Sequence, residues 1–153
     1  MSKAELTEEV FEFLNGQALA DKQHEAMMLL SVSEDLWPHT AMLSVGEVVA
    51  ISRNEVRIAL WMGTNTTANL KRTGQGTLVL VHNAKAIYIR LSCESLGVLE
   101  GSRHPRERFA ARVEAFREDI ACYADITSGI MFDLKEPEVG IGRWSQTLKE
   151  LRM

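Results

Sequence analysis

Six apolar, β-compatible runs follow one another with little between them, and this spacing constrains the fold more than any other feature of the chain. They span residues 26–32, 39–45, 48–52, 56–61, 77–82 and 86–99, and are rich in the branched and aromatic side chains that suit a pleated surface. The punctuation is short: Ser33-Glu34-Asp35 with Trp37-Pro38, then Gly46, Arg53-Asn54 and Asn83-Ala84, each of which fits a hairpin or tight turn. Parallel neighbours need a crossover of about a dozen residues or more, so such loops predict antiparallel pairing. Runs 56–61 and 86–91 alternate in polarity, whereas Leu78-Val79-Leu80-Val81 is apolar throughout, as in a strand covered on both faces. A small closed barrel flanked by helices accounts for both patterns. The predicted class is mainly β (α+β), with residues 1–153 forming a single domain.

Helical signals are fewer. Ser2 and Glu5 stand at capping-box spacing ahead of Leu6, Val10, Phe13 and Leu14 on one face, and Asn15-Gly16 stops the segment. Residues 63–74 combine Thr and Asn caps with a glycine stop and predict one or two helical turns. Pro105 suits a first helical position, and Phe109, Val113, Phe116 and Ile120 repeat at four, three and four residues, which predicts a helix over 105–123 packed on the barrel. A strand is expected over 129–134, and a last short helix or extended arm over 143–152.

Several function classes are disfavoured. No run approaches the ~20 apolar residues of a membrane span. Seventeen basic and twenty-one acidic residues give a net charge of -4, with the basic ones dispersed, which does not favour nucleic acid. The histidines at 24, 39, 82 and 104 lack metal-ligand spacing, and Cys93 and Cys122 form no C-x-x-C pair. A chain of 153 residues buries roughly 70% of its unfolded surface, so these cysteines are not needed as staples. With no signal-peptide pattern at the start, a reducing cytoplasmic setting is expected. Nucleophile-elbow and Walker motifs are absent, and Gly74-Gln75-Gly76 opens a strand rather than a helix.

The informative segment is the strand-to-helix turn Gly63 to Asn69. Backbone N–H groups at a helix start carry the positive end of the helix dipole and donate readily to a phosphate; Thr64, Thr66, Thr67 and Asn69 add donors within one turn. The same residues equally suit plain capping of a connecting helix.

Taken in order, Trp37-Pro38-His39-Thr40-Ala41-Met42, a hairpin, Arg57-Ile58-Ala59-Leu60-Trp61, Thr64-x-Thr66-x-x-Asn69-Leu70 and Gly76-Thr77-Leu78-Val79-Leu80-Val81 resemble the FMN-binding split-barrel family related to pyridoxamine 5'-phosphate oxidase. The resemblance covers roughly residues 23–99. It implies a six-stranded antiparallel split barrel, a homodimer, and FMN in a cleft at the subunit interface. His39, Thr40, Ala41 and Met42 would run along the isoalloxazine ring, with Trp61 and Met62 at the end of the neighbouring strand. Thr64, Asn65, Thr66, Thr67, Asn69 and Leu70 would form the phosphate turn. Asn65 and Thr66 stand where many members have Arg and Lys, so Lys71, Arg72 or the partner subunit's Arg90 would have to supply the charge.

His39 is a candidate for proton transfer, though packing is the commoner role for a histidine after Trp-Pro. Trp61 and Trp144 are candidates for stacking near the flavin, and equally for core or interface positions. Arg143-Trp144 is similar to the C-terminal Arg-Trp pair of the oxidase, but the rest of that substrate signature is missing, which disfavours pyridoxamine phosphate oxidation itself. Three functions remain open: an FMN-dependent oxidoreductase of unknown substrate and electron donor, a flavin- or haem-carrying binding protein without turnover, and a cofactor-free dimer.

Overall fold

The structure is a computed structural model, and it describes residues 4–153. Seven strands form a single curled antiparallel sheet: β1 (Ala26–Val32), β2 (Pro38–Ser44), β3 (Val48–Ala50), β4 (Glu55–Trp61), β5 (Gln75–His82), β6 (Lys85–Val98) and β7 (Arg106–Asp119). Their order is β2-β1-β5-β6-β7-β4-β3, so β2 and β3 are the two edges, joined by a short turn around Gly46. The predicted closed barrel is therefore open at that seam, and it has seven strands rather than six. The concave face is filled by Leu29, Ile58, Leu78, Ile89 and Phe109, each with no exposed surface.

Helices α1 (Glu8–Phe13) and α2 (Leu19–Lys22) supply Val10, Phe13 and Leu19 to this core, and Leu6 and Leu14 flank α1 as buried residues. The predicted apolar face is observed, but the cap is Thr7, whose hydroxyl accepts from Val10 N–H at 3.3 Å; Ser2 lies outside the described residues. Helix α3 (Asn65–Thr73) joins β4 to β5 and packs against β1, β2, β4, β5 and β6. It buries Leu70, which lies close to Gly76. Helix α4 (Pro137–Leu151) begins earlier than the expected 143–152 segment and lays Leu148 and Leu151 into the core. Arg57 Nη1 donates to the Leu151 carbonyl at 2.8 Å, which ties α4 to β4.

The predicted helix over 105–123 is instead β7, and its error has a definite cause. Along β7 the buried residues are Glu107, Phe109, Ala111 and Val113, an alternation of period two, and then Phe116. Opposite β6, Leu91 pairs with Val113 and Arg90 with Ala115, so Glu114 is an extra bulge residue that reverses the alternation. Large apolar side chains consequently fall at 109, 113 and 116, the spacing of a helix face, while small Ala111 hides the strand period. Ile120, the fourth member of the supposed face, is exposed beyond the strand end. A second irregularity lies between Ser95 and Gly97, where Leu96 is left over and Gly97 takes a φ of +76°.

Two smaller expectations are also revised. Residues 129–134 form no strand; they contribute an isolated bridge, Glu25 to Met131. Gly129 packs against Val81, with space for a Cβ limited to 3.1 Å from the Val81 Cβ. That segment gives β5 partial outer cover, since Val79 and Val81 are half-buried while Leu78 and Leu80 are buried. The Asn83-Ala84 turn between β5 and β6 is observed as expected, with φ of +52° and +60° as a two-residue hairpin of the favoured twist requires. Both cysteines are free thiols.

Candidate functional site

The turn leading into α3 has the geometry expected of a capped helix start. Thr64 is extended (φ −88°, ψ 162°), and its hydroxyl accepts from Thr67 N–H at 3.2 Å. The remaining hydrogens are used locally. Thr67 Oγ1 donates to the Trp61 carbonyl at 2.8 Å, and Thr64 Oγ1 lies 3.2 Å from that carbonyl and 3.1 Å from Thr67 Oγ1. Gly74 closes the helix in the left-handed region, φ +68°, its N–H donating to the Leu70 carbonyl. The Asn65 and Thr66 N–H groups, in the first turn, have no intrahelical acceptor.

Asn69 does not face that rim. It is buried, donates through Nδ2 to Ser31 Oγ at 3.0 Å, and accepts from Arg72 Nη1 at 3.2 Å, binding α3 to β1. Thr66, Thr67 and Leu70 are likewise buried, so of the six turn residues Thr64 and Asn65 alone present exposed side chains. Of the three cations considered as substitutes for a basic pair, Arg72 and Lys71 are engaged elsewhere. Arg72 Nη2 also donates to the Val32 carbonyl. Lys71 Nζ lies 3.3 Å from Glu107, a buried carboxylate on β7 that also accepts from Ser95 Oγ. Arg90 is exposed on β6, lining a cleft of about 420 Å³ over the outer face of β1, β5 and β6.

Beside this turn runs the open edge of β2. Thr40 and Met42 are exposed, and His39 and Ala41 are half-buried. Trp61 and Met62 at the end of β4 are each about half exposed. The structure thus gathers β2, the end of β4 and the start of α3 around one rim. Trp144, by contrast, packs flat over the Gly46 turn, where a Cβ would lie 1.9 Å from its Cγ, and serves to dock α4.

One residue that sequence reasoning passed over stands out. Arg106, paired with Trp61 across β4 and β7, lays its guanidinium over the Trp61 ring at 3.7 Å from the centroid. One face of that ring is therefore occupied. Arg106 Nε is the one buried side-chain polar atom without a hydrogen-bond partner among the described residues. Burial lowers the affinity of the Arg106 side chain for its proton, an effect opposed by the charges of Glu47 and Glu150 and reinforced by Arg143. It was missed because its segment reads as a helix packed on the barrel, with Arg106 off the apolar face of Phe109, Val113, Phe116 and Ile120. The thiol of Cys93, next to the end of α3, is pushed up to about 12 by burial and is inert as a nucleophile near neutral pH.

A curled antiparallel sheet opened at one seam, with a helix start at its rim, places this protein by fold with the pyridoxamine 5'-phosphate oxidase-like, FMN-binding split-barrel proteins. The structure of a candidate pyridoxamine 5'-phosphate oxidase from Lactobacillus delbrueckii superposes with a TM-score of 0.58 at 14% identity, over 75% of this chain and 95% of that one. An FMN-binding protein from Syntrophomonas wolfei gives 0.50 at 16% identity, over 70% and 86%. No protein-family model matches the sequence. The chain belongs to the family of the uncharacterized protein YclD of Bacillus subtilis (strain 168), to which it is 44% identical over 147 residues, 96% of each chain. Among the described residues no helix is long and apolar enough to cross a membrane, and no cluster of metal-ligating side chains occurs.

Proposed function

We propose that this protein is an FMN-dependent oxidoreductase whose phosphate subsite is the start of α3. The observation that carries the reading is the pair of unpaired N–H groups, Asn65 and Thr66, at a helix N-terminus on the rim shared with β2 and Trp61. The donor set suits a phosphate in kind: two backbone N–H groups, the positive end of a helix dipole and the exposed Asn65 amide. It differs from the expectation of hydroxyl donors, because Thr64 and Thr67 spend their hydrogens on the Trp61 carbonyl and each other. Asn69 and Leu70 act here by holding α3 in place rather than by touching the cofactor. His39, Thr40, Ala41 and Met42 would flank the ring along the open edge of β2. FMN, when bound, supplies hydride or single-electron transfer; the chain supplies position and a wall.

The second wall would come from another copy of the chain. The outer cleft lined by Leu30, Val32, Pro38, Thr77, Arg90 and Leu91 is mostly apolar, and Val32 and Met42 remain 42% and 49% exposed in the single chain. Such a surface suits a homodimer interface. Light scattering at micromolar concentration should give twice the chain mass, and a stable monomer would remove this wall.

Asn65→Pro tests the phosphate subsite cleanly. Proline is well tolerated at a first helical position and Thr64 is already extended, so the substitution deletes the Asn65 backbone N–H, and with it the side-chain amide, with little structural change. A hydrogen bond to a charged group contributes about 1.5–3 kcal/mol, so FMN should bind roughly 10- to 150-fold more weakly. Riboflavin, which lacks the phosphate, should bind within a factor of about 3 of the unmutated protein. Fluorescence quenching of both flavins reads the contrast. Equal losses for the two would overturn the phosphate subsite, and no FMN binding by the unmutated protein would overturn the whole reading in favour of a barrel without cofactor.

A further inference from the structure

The tip of the β1–β2 hairpin is strained and apolar, and nothing in the single chain offsets either property. Val32 pairs with Pro38, and Ser33 N–H donates to the Trp37 carbonyl at 3.0 Å, leaving Glu34-Asp35-Leu36 as a three-residue loop. Leu36 N–H donates to the Ser33 carbonyl at 2.9 Å, and Leu36 itself takes a φ of +69°. Three-residue hairpin loops place a left-handed residue there, and Gly suits it best because it has no Cβ to clash. Burial would offset the strain of a leucine, yet Leu36 is 81% exposed and the neighbouring Trp37 is 72% exposed.

The tip is braced. Trp37 N–H donates to Asp35 Oδ1 at 3.2 Å, and Arg72 of α3 donates to the Val32 carbonyl at the hairpin's base. Val32 and Pro38 also border the outer cleft of about 420 Å³, which Leu30, Thr77 and Leu91 line further in. Neither Leu36 nor Trp37 lines that cleft, so an apolar tip and an apolar cleft lie side by side in one copy without meeting. Their charges are complementary. The tip bears Glu34 and Asp35; the cleft bears Arg90, and on the next cross-strand pair Arg117 lies over the Tyr88 ring at 4.3 Å. None of these four charges has an ion pair within 4.0 Å among the described residues. Glu114, the carboxylate that lines the cleft, is held by Arg112 at 2.7 Å.

We propose that the Leu36-Trp37 tip is a docking arm that seats in the outer cleft of a second copy of this chain, with Trp37 beside Arg90 and the tip carboxylates toward the arginines. A second copy is the occupant because it brings a complementary cleft with every tip. A two-fold pair makes the contact twice and covers both tips and both clefts. A guanidinium against the indole face adds to the apolar burial. The arm rests on the homodimer proposed above, for which it names the holding contact, and it does not depend on the flavin.

Sedimentation of the protein without added flavin, over a concentration series, gives the dimer dissociation constant. Trp37→Ala should raise it roughly 30-fold, as for a central aromatic anchor. Leu36→Gly should raise it roughly 10-fold, while the urea midpoint of the diluted single chain stays the same or rises, because glycine relieves the left-handed strain. A tip that merely supports the fold would lower that midpoint instead, which would overturn the proposal. Glu34→Lys and Arg90→Glu should each weaken the dimer, and the double variant should recover part of the loss; no recovery would overturn the seat beside Arg90. An unchanged dissociation constant in both Trp37→Ala and Leu36→Gly would overturn the arm, leave the homodimer standing and assign the tip to a different partner. An unmutated protein that stays monomeric would overturn the homodimer and the arm together.

Discussion

The α3 turn and the Arg106 face lie on either side of Trp61, and they treat their polar groups in opposite ways. In the turn, residues that look like phosphate donors are satisfied internally: Thr64 caps Thr67, Thr67 donates to Trp61, and Asn69 binds Ser31 and Arg72. Across the Trp61 ring, Arg106 Nε is buried without a hydrogen-bond partner, while Glu47 and Glu150 accept from Ser44, Ser102 and Gln146. Residue type therefore says what a group is able to donate, and only its neighbours say whether the donation is already used. The turn leaves backbone N–H groups without an intrahelical acceptor, and the face leaves one charged side chain without a hydrogen-bond partner.

The largest expected effect tests the strand that underlies this contrast. β7 directs Arg106 outward and Phe109 inward, so Phe109→Ala should destabilise the fold by about 3–5 kcal/mol, measured by urea unfolding. An unchanged midpoint would mean that β7 does not cross the core, and both descriptions of Arg106 would fail with it. Gly46→Ala separates the two regions more selectively. Its Cβ would overlap the Trp144 ring, and overpacking of this kind costs about 1–3 kcal/mol, with α4 displaced from its seat. FMN affinity, read by fluorescence quenching, should be retained. Its loss would show that the seat of α4 and the α3 turn are coupled.

The smallest effect is a pH dependence confined to the α3 side. Cys93 N–H donates to the Gly74 carbonyl at 2.8 Å, beside the cap of α3, and burial holds its thiol protonated up to about 12. A folded-state value raised above the unfolded one means that the unfolded chain ionises first. Stability is therefore fully present below about pH 8.5 and declines above it, by at most about 1.4 kcal/mol per pH unit. Urea midpoints at about pH 8 and about pH 10 should show this decline in the unmutated protein and a smaller one in Cys93→Ala. An identical decline in both would place the titration elsewhere. Exposed Cys122 should be alkylated first near neutral pH, with Cys93 protected until α3 or the sheet opens.

Local chemistry made much of the molecule legible in the sequence alone. The six strands between residues 26 and 99, the antiparallel pairing, the capped turn from Thr64 to Gly74 and the Asn83-Ala84 hairpin all follow from interactions within a few residues of each other. The α1 face is of the same kind, since Leu6, Val10, Phe13 and Leu14 meet on one side of α1 and its flanking residues. What the tertiary structure decided was settled by partners distant in sequence. The bulge at Glu114 exists only against β6, and it gives a strand the apolar spacing of a helix. The burial of Asn69 depends on Ser31, 38 residues away, and turns an apparent ligand into an anchor. The surroundings of Arg106 are Trp61, Glu47, Arg143 and Glu150, which β4, the β2–β3 turn and α4 bring together. A local pattern records the conformations a segment prefers; whether its polar groups remain free is decided by the groups that folding sets against them.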